Sequence, residues 1–250
     1  MTIVLVHGVP EAAGIWDDLV AELAELGHGD VVTLSPPGFG APLPDGFDAT
    51  SDGYAEWLVA ELERFDAPVD LIGHDWGGGH AMRAATKRPD LVRRLVTDIA
   101  GTGDAAYQWH DMAQVWQTEG DGEAFVEAMS AMPLDERTQM LEAAGMSAAG
   151  ATACAEAGGE TMGSCILTLY RSAKQPRMHL WSDQFAKLDE RPPVLVVIAE
   201  HDHYTGGPDL ARRVAEKWGA AVAELDGVGH WWMMENPAQG AHALHEFLEA

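Results

Sequence analysis

The sequence predicts an α/β fold: a mostly parallel sheet with helices on both faces, interrupted by a helical insertion. Three observations carry this expectation. Short apolar runs of strand length alternate with segments of helical periodicity from Ile3 to Ala100. The same rhythm returns at Val194 and continues to the end. Between them, from about 102 to 186, it disappears into an Ala-, Met- and Trp-rich stretch with no convincing buried strand.

Taken in order, IVLVHG (Ile3 to Gly8) is a continuous apolar run closed by a turn signal, as suits a strand buried on both faces. WDDLVAELAEL (Trp16 to Leu26) places Trp16, Leu19, Val20, Leu23 and Leu26 at helical spacing, and Gly27 ends it. VVTL (Val31 to Leu34) is a second strand, followed by the turn-rich SPPGFG. YAEWLVAELERF (Tyr54 to Phe65) reads as a helix, VDLIGHD (Val69 to Asp75) as the third strand, and GGHAMRAATKR (Gly78 to Arg88) as a helix stopped by Pro89. LVRRLVTDIA (Leu91 to Ala100) supplies a fourth strand. After the insertion come VLVVIAEHD (Val194 to Asp202), a helix over Pro208 to Gly219, a strand over Ala220 to Gly227, and a last helix over Pro237 to Leu248. Within the insertion, GEAFVEAMSAM and DERTQMLEAAG are helical in pattern. The expected division is therefore a core of 1–101 and 187–250 with a helical unit of 102–186.

Composition narrows the partners. The chain has 250 residues, 47% hydrophobic, and 15 basic against 40 acidic side chains for a net charge of −25. Such a surface repels nucleic acid and anionic lipid, and disfavours an anionic substrate unless the pocket screens the field. No apolar run approaches the ~18 residues needed to span a bilayer. The N-terminal MTIVLVHGVP reads as a strand rather than a signal peptide, so a cytoplasmic location is expected. The two cysteines, Cys154 and Cys165, make no disulfide framework and read as reduced packing residues.

Parallel sheets of this kind place functional groups at the carboxyl ends of their strands. Asp75 follows the third strand, Asp202 the fifth, and His230 lies in GVGHWW after the sixth. Nucleophile, acid, histidine is the chain order of one well-defined catalytic triad. Its nucleophile sits on a tight strand-to-helix elbow of the form G-x-nucleophile-x-G. Gly73-His74-Asp75-Trp76-Gly77 has that form with aspartate at the centre.

With HGVP (His7 to Pro10), SPPGFG, GHDWGG, AEHD and GVGHWWMMENP in this order, the sequence resembles the α/β-hydrolase superfamily, and within it the epoxide hydrolase and haloalkane dehalogenase branch. The chain begins at the HGVP strand, so the family's usual N-terminal hairpin is expected to be missing. The resemblance implies an α/β-hydrolase fold with the insertion acting as a cap. It also implies an oxyanion hole from the backbone N–H groups of Val9 and Trp76.

Residue chemistry agrees. A carboxylate needs no base to attack saturated carbon, and the ester it forms can be hydrolysed by water that His230, oriented by Asp202, deprotonates. Serine-type esterase, lipase and C–C hydrolase chemistry are disfavoured. So is fluoroacetate dehalogenation, whose enzymes resemble this chain but carry Arg where Trp76 stands.

The leaving group separates the two branches. An epoxide leaves an alkoxide that needs a proton donor, a role the resemblance places on Tyr170 in ILTLYRSAKQP. The family's first lid tyrosine would fall near Met112, which cannot donate a proton, and Tyr107 is the possible substitute. A halide instead needs N–H donors, for which Trp76 and a second tryptophan are candidates; Val9 stands where an Asn would otherwise serve. Trp109, Met112, Trp116 and Trp231 are expected to line the pocket. Asp98 in VTDIAG competes with Asp202 as triad acid, and AEHD favours Asp202. His201 and His203 beside Asp202 suggest a metal cluster only weakly, because adjacent residues on a short turn seldom converge.

The expected activity is hydrolysis of a small, neutral, hydrophobic epoxide to a vicinal diol through an ester on Asp75, with no cofactor or metal implied. The alternatives are a haloalkane dehalogenase using the same triad, and an idle relative that only binds.

Overall fold

The computed structural model describes residues 1–250. Six strands form one sheet in the order β2-β1-β3-β4-β5-β6, every neighbouring pair parallel. They are β1 (Ile3–Val6), β2 (Val31–Leu34), β3 (Val69–Gly73), β4 (Val92–Thr97), β5 (Val194–Ala199) and β6 (Ala221–Leu225). The helices are α1 (Asp17–Glu25), α2 (Ser51–Leu62), α3 (Trp76–Lys87), α4 (Asp111–Gln117), α5 (Asp121–Ala131), α6 (Leu134–Ala143), α7 (Ala148–Ala157), α8 (Glu160–Ser172), α9 (Arg177–Ala186), α10 (Gly207–Trp218), α11 (Trp232–Glu235) and α12 (Pro237–Glu249). The expected strands are present; β2 has its expected bounds and the other five end earlier, so that Gly8, Asp75 and Asp202 lie in the turns beyond them.

β1 shows why the apolar runs are unbroken. All four residues are buried, Ile3 and Leu5 in one core and Val4 and Val6 in the other. The first core holds Leu19 and Leu23 of α1 and Leu244 and Leu248 of α12; the second holds Leu58 of α2, Met82 of α3 and Trp218 of α10. Each such side chain contributes about 1.5–3 kcal/mol of transfer free energy, which two-sided burial demands from every position of the strand.

The chain order reverses at β1. It steps to β2 on one side and to β3 on the other, which opens a crevice at the carboxyl ends of β1 and β3. Val9 and Asp75 meet there.

The stretch 102–186 forms six helices, α4 to α9, but not a single layer. α9 packs against α3 and α10, with Phe185 in the second core, so it belongs to the layer beside the sheet. α4 to α8 supply the residues that face the crevice. No helix is long and apolar enough to cross a membrane.

Candidate active site

Asp75 sits at the turn from β3 into α3 with φ 49° and ψ −129°, a conformation that costs an ordinary residue about 1–3 kcal/mol. The neighbours hold it there. The Asp75 N–H donates to Asp98 Oδ1 at 3.0 Å. A side chain at Gly77 would lie 2.1 Å from the Val6 carbonyl oxygen, so only glycine lets α3 approach β1. A Cβ on Gly8 would likewise collide with the Asp75 carboxylate. The carboxylate does not cap its own helix; its Oδ1 accepts from the Val9 N–H at 3.0 Å. Burial raises its pKa to about 6, against the opposing pull of His230 and the Trp76 backbone N–H.

His230 closes the second side. Its Nδ1 lies 2.9 Å from Asp202 Oδ2, and its Nε2 lies 3.8 Å from Asp75 Oδ2, beyond hydrogen-bond reach. Asp202 also accepts from the Tyr204 N–H at 2.8 Å and the Thr205 hydroxyl at 3.2 Å. Burial opposes its ionisation, yet His230 and these donors hold its pKa at about 2. Burial alone would depress the His230 pKa, but Asp202 and Asp75 raise it.

Asp98 has a different position. Its carboxylate receives the Asp75 N–H, His74 Nδ1 at 2.5 Å and Trp232 Nε1 at 2.8 Å. His74 also lies 3.0 Å from Glu11 Oε1 through Nε2, and Glu11 accepts from the Gly8 N–H and from Trp231 Nε1, both at 2.7 Å. Although burial disfavours charge, the two carboxylates raise the His74 pKa well above its ordinary value, and His74 lowers that of Glu11 to about 2. A buried imidazolium between two carboxylates thus underpins the elbow, its ring centroid 4.6 Å from that of His230. Sequence alone does not single out Glu11 or His74: His74 stands in GHDWGG and Glu11 directly follows HGVP, and only the adjacency of β1 and β3 pairs them.

A largely apolar cavity of ≈ 220 Å³ reaches Asp75 and His230 and is walled by α4 to α8. Met112, Trp116, Tyr170 and Trp231 line it, as does Val9. A second space of ≈ 20 Å³, room for about one water-sized sphere, adjoins Asp75 beside Trp76, Tyr107, Trp109 and Tyr170. Tyr170 therefore borders both. Its ring is 5.2 Å from Trp76 and 4.7 Å from Trp116. Burial, then the Asp75 charge, push its pKa well up, while a hydrogen bond from the Trp76 side chain opposes them. Trp109 stacks on Trp76 at 5.8 Å, and the indole N–H groups of Trp109 and Trp116 are buried without a partner.

Tyr107 does not present a free hydroxyl. It donates to the Tyr204 carbonyl at 2.8 Å and lines only the smaller space. Tyr204 and His110, absent from the sequence reading, border both spaces, and the Tyr204 ring stands 4.9 Å from His230. Burial lowers the His110 pKa to about 4, so it is neutral near pH 7.

His201 and His203 are exposed and do not converge with Asp202, which is turned inward to His230. Glu11, His74 and His230 offer atoms within 4.8 Å of one another, but Glu11 and His74 already neutralise each other. Cys154 and Cys165 are buried free thiols, with the Cys154 pKa pushed to about 12 by burial.

Comparisons place this geometry among known proteins. Bacillus subtilis YfhM, an AB hydrolase superfamily protein, is 31% identical over 97 residues, 38% of this chain and 34% of its own. The (E)-2-((N-methylformamido)methylene)succinate hydrolase of Acinetobacter baylyi is 30% identical over 94 residues, 37% of this chain and 35% of its own. These matches span only about a third of those relatives' length. The 2-hydroxy-6-oxo-6-(2'-aminophenyl)hexa-2,4-dienoic acid hydrolase of Metapseudomonas resinovorans matches 98% of this chain and 83% of its own at 23% identity. Among solved structures, haloalkane dehalogenase DbeA from Bradyrhizobium elkanii superposes with TM-score 0.72 at 19% identity over 99% of this chain and 90% of its own, which shows the fold. A family model described as the alpha/beta hydrolase family matches residues 3–243, and the chain belongs to that family.

Proposed function

We propose that this hydrolase opens an epoxide carried on a largely apolar body to a vicinal diol, through an alkyl ester on Asp75. What supports this most is that Tyr170 lines both spaces that reach Asp75, with its ring 5.2 Å from Trp76, while the Asp75 carboxylate faces the His230–Asp202 pair.

Asp75 Oδ1 already accepts the Val9 N–H, so it becomes the ester carbonyl oxygen, and Oδ2 forms the new C–O bond as the ring C–O bond breaks. The departing oxygen takes the Tyr170 proton. The Asp75 charge that raised the Tyr170 pKa vanishes as the ester forms, so the proton becomes available in the same step. The Trp76 side chain then stabilises the phenolate.

In the second half-reaction a water gives a proton to His230 Nε2 and attacks the ester carbonyl carbon. The tetrahedral oxyanion forms on Oδ1, between the backbone N–H groups of Val9 and Trp76. Collapse expels the diol oxygen, which takes the proton from His230. The carboxylic acid left on Asp75 returns its proton to Tyr170, and water has been added across the ring with all charges restored.

A second reading has its own support. Trp109, with its unpartnered indole N–H, borders the small space next to Asp75 together with Trp76, as a halide site requires. Dehalogenation would use the same ester and the same His230 step. Incubation with an aryl epoxide and with a bromoalkane discriminates the readings: diol supports the first, and bromide without diol overturns it in favour of the second. Neither product would leave a binding protein, which the reach of the larger cavity to Asp75 argues against.

A further inference from the structure

The larger cavity has one basic residue other than histidine in its lining, Arg137 of α6, and one acidic residue, Asp75. Arg137 stands out in this chain. Every other arginine donates a side-chain hydrogen bond or joins an ion pair, whereas Arg137 does neither, and its Nε is buried without a partner. With 40 acidic side chains against 15 basic ones, a carboxylate partner is the ordinary condition for a guanidinium here. A half-buried guanidinium left unpaired in an apolar wall keeps donors with nothing to receive them.

A second feature of that wall points the same way. Gly158 and Gly159 line the cavity with Arg137, and Gly159 is the N-cap of α8, a 13-residue helix with no side-chain cap. The first-turn N–H groups of such a helix and the positive end of its dipole favour an anion. Gly158 lies beside the guanidinium, since a Cβ there would sit 3.7 Å from Arg137 Nη1. Most of the rest of the cavity lining is apolar, including Phe125, Met129, Met162 and Ile166.

Resting on the Asp75 reading above, we propose that Arg137 is a carboxylate-binding subsite, and that the substrate is an amphiphile with the reacting carbon at one end, an apolar spacer and a carboxylate at the other. The guanidinium fork receives both oxygens of the carboxylate, and the uncapped end of α8 adds to the favourable field. The acidic surface that repels anions in general is answered inside the pocket by this single cation. The expectation of a wholly neutral substrate is revised accordingly.

The test uses a homologous series of terminal epoxides ending in a carboxylate, each paired with its methyl ester, on the wild-type enzyme and the Arg137→Met and Arg137→Lys variants. The wild type should prefer the acid at its best chain length by about tenfold in kcat/KM, which is about 1.4 kcal/mol. Arg137→Met should erase that preference through KM, and Arg137→Lys should restore part of it. A wild type that prefers the ester at every length overturns the proposal. So does an Arg137→Met variant that loses acid and ester turnover equally, because Arg137 then serves only the fold.

A parallel calorimetric titration with unreactive saturated alkanoates and the matching alkanols separates this inference from the chemistry at Asp75. Alkanoate binding that is lost in Arg137→Met sustains the subsite even where no epoxide is turned over. Binding indifferent to the substitution overturns it even where diol is formed.

Discussion

Replacing His230 by Gln should split the reaction into its two halves. The first half needs only the Asp75 carboxylate and a proton donor, so it survives. The second half needs a base at the position of His230 Nε2, 3.8 Å from Asp75 Oδ2, and the Gln amide cannot supply one. Loss of a general base slows a step by about 10²–10⁴, or roughly 3–5 kcal/mol of barrier. Ester hydrolysis then becomes slow enough for the intermediate to accumulate during steady state. Intact-protein mass spectrometry after mixing with substrate is the assay, and the increment reports the chemistry. An epoxide adds its whole mass to the protein, whereas a haloalkane adds its mass less that of the hydrogen halide. A peptide map should place the adduct on Asp75. A wild-type enzyme that turns a substrate over while the variant shows a first-turnover burst without any adduct would refute covalent catalysis. A single wild-type turnover in ¹⁸O-water gives an independent reading: the first diol should carry unlabelled oxygen from Asp75, and the label should appear in the carboxylate.

Other expectations follow from the same geometry. Because burial raises the Asp75 pKa to about 6, its carboxylate, the proposed nucleophile, is ionised above that value. The single-turnover rate of ester formation should therefore fall as pH drops through about 6, and a flat profile from pH 5 to 8 would contradict the assignment. Tyr170→Phe should reduce epoxide opening by about 10²-fold or more, measured as the ester-formation rate, while leaving alkyl bromide attack far less affected. Glu11→Gln removes one carboxylate from a buried charged network, which costs about 3–5 kcal/mol in denaturant titration. The Glu11 pKa is depressed in the folded state to about 2, so its stabilising effect is present above its ordinary value of 4.5 and is lost as pH falls toward 2. The wild-type and Glu11→Gln stability curves should accordingly converge in acid.

Much of the core was legible because two-sided burial writes a strand as an unbroken apolar run. β1, β3 and β5 were read in this way, with only their ends misplaced, since a turn residue such as Asp75 follows the strand without a break in hydrophobicity. Asp75, Asp202 and His230 lay at strand ends, and a parallel sheet brings strand ends together. What escaped depends on proximity across elements. Glu11 and His74 lie 63 positions apart and meet only because β1 and β3 are neighbours. Nor does local sequence show that the Tyr107 hydroxyl donates to the Tyr204 carbonyl, 97 positions away. The helices of the insertion were visible in composition. Which of them bordered the cavity, and that α9 did not, was decided by packing that no local pattern encodes.

The turn that carries Asp75 is held by glycines, by the Asp98 carboxylate on a backbone N–H, and by a charged pair beneath it; of these only Gly8 packs on the Asp75 side chain, whose Oδ1 also accepts the Val9 N–H. The strain at φ 49° is therefore borne mainly by the scaffold around the Asp75 backbone. A mutation that exchanges aspartate for another small polar residue would disturb little of the framework while changing the chemistry outright. On the proposed chemistry, the step between attack on an ester and attack on a saturated carbon would be short in sequence. The proposed roles of Tyr170 and Arg137, both in the cavity wall, make those two positions the further ones that would have to change.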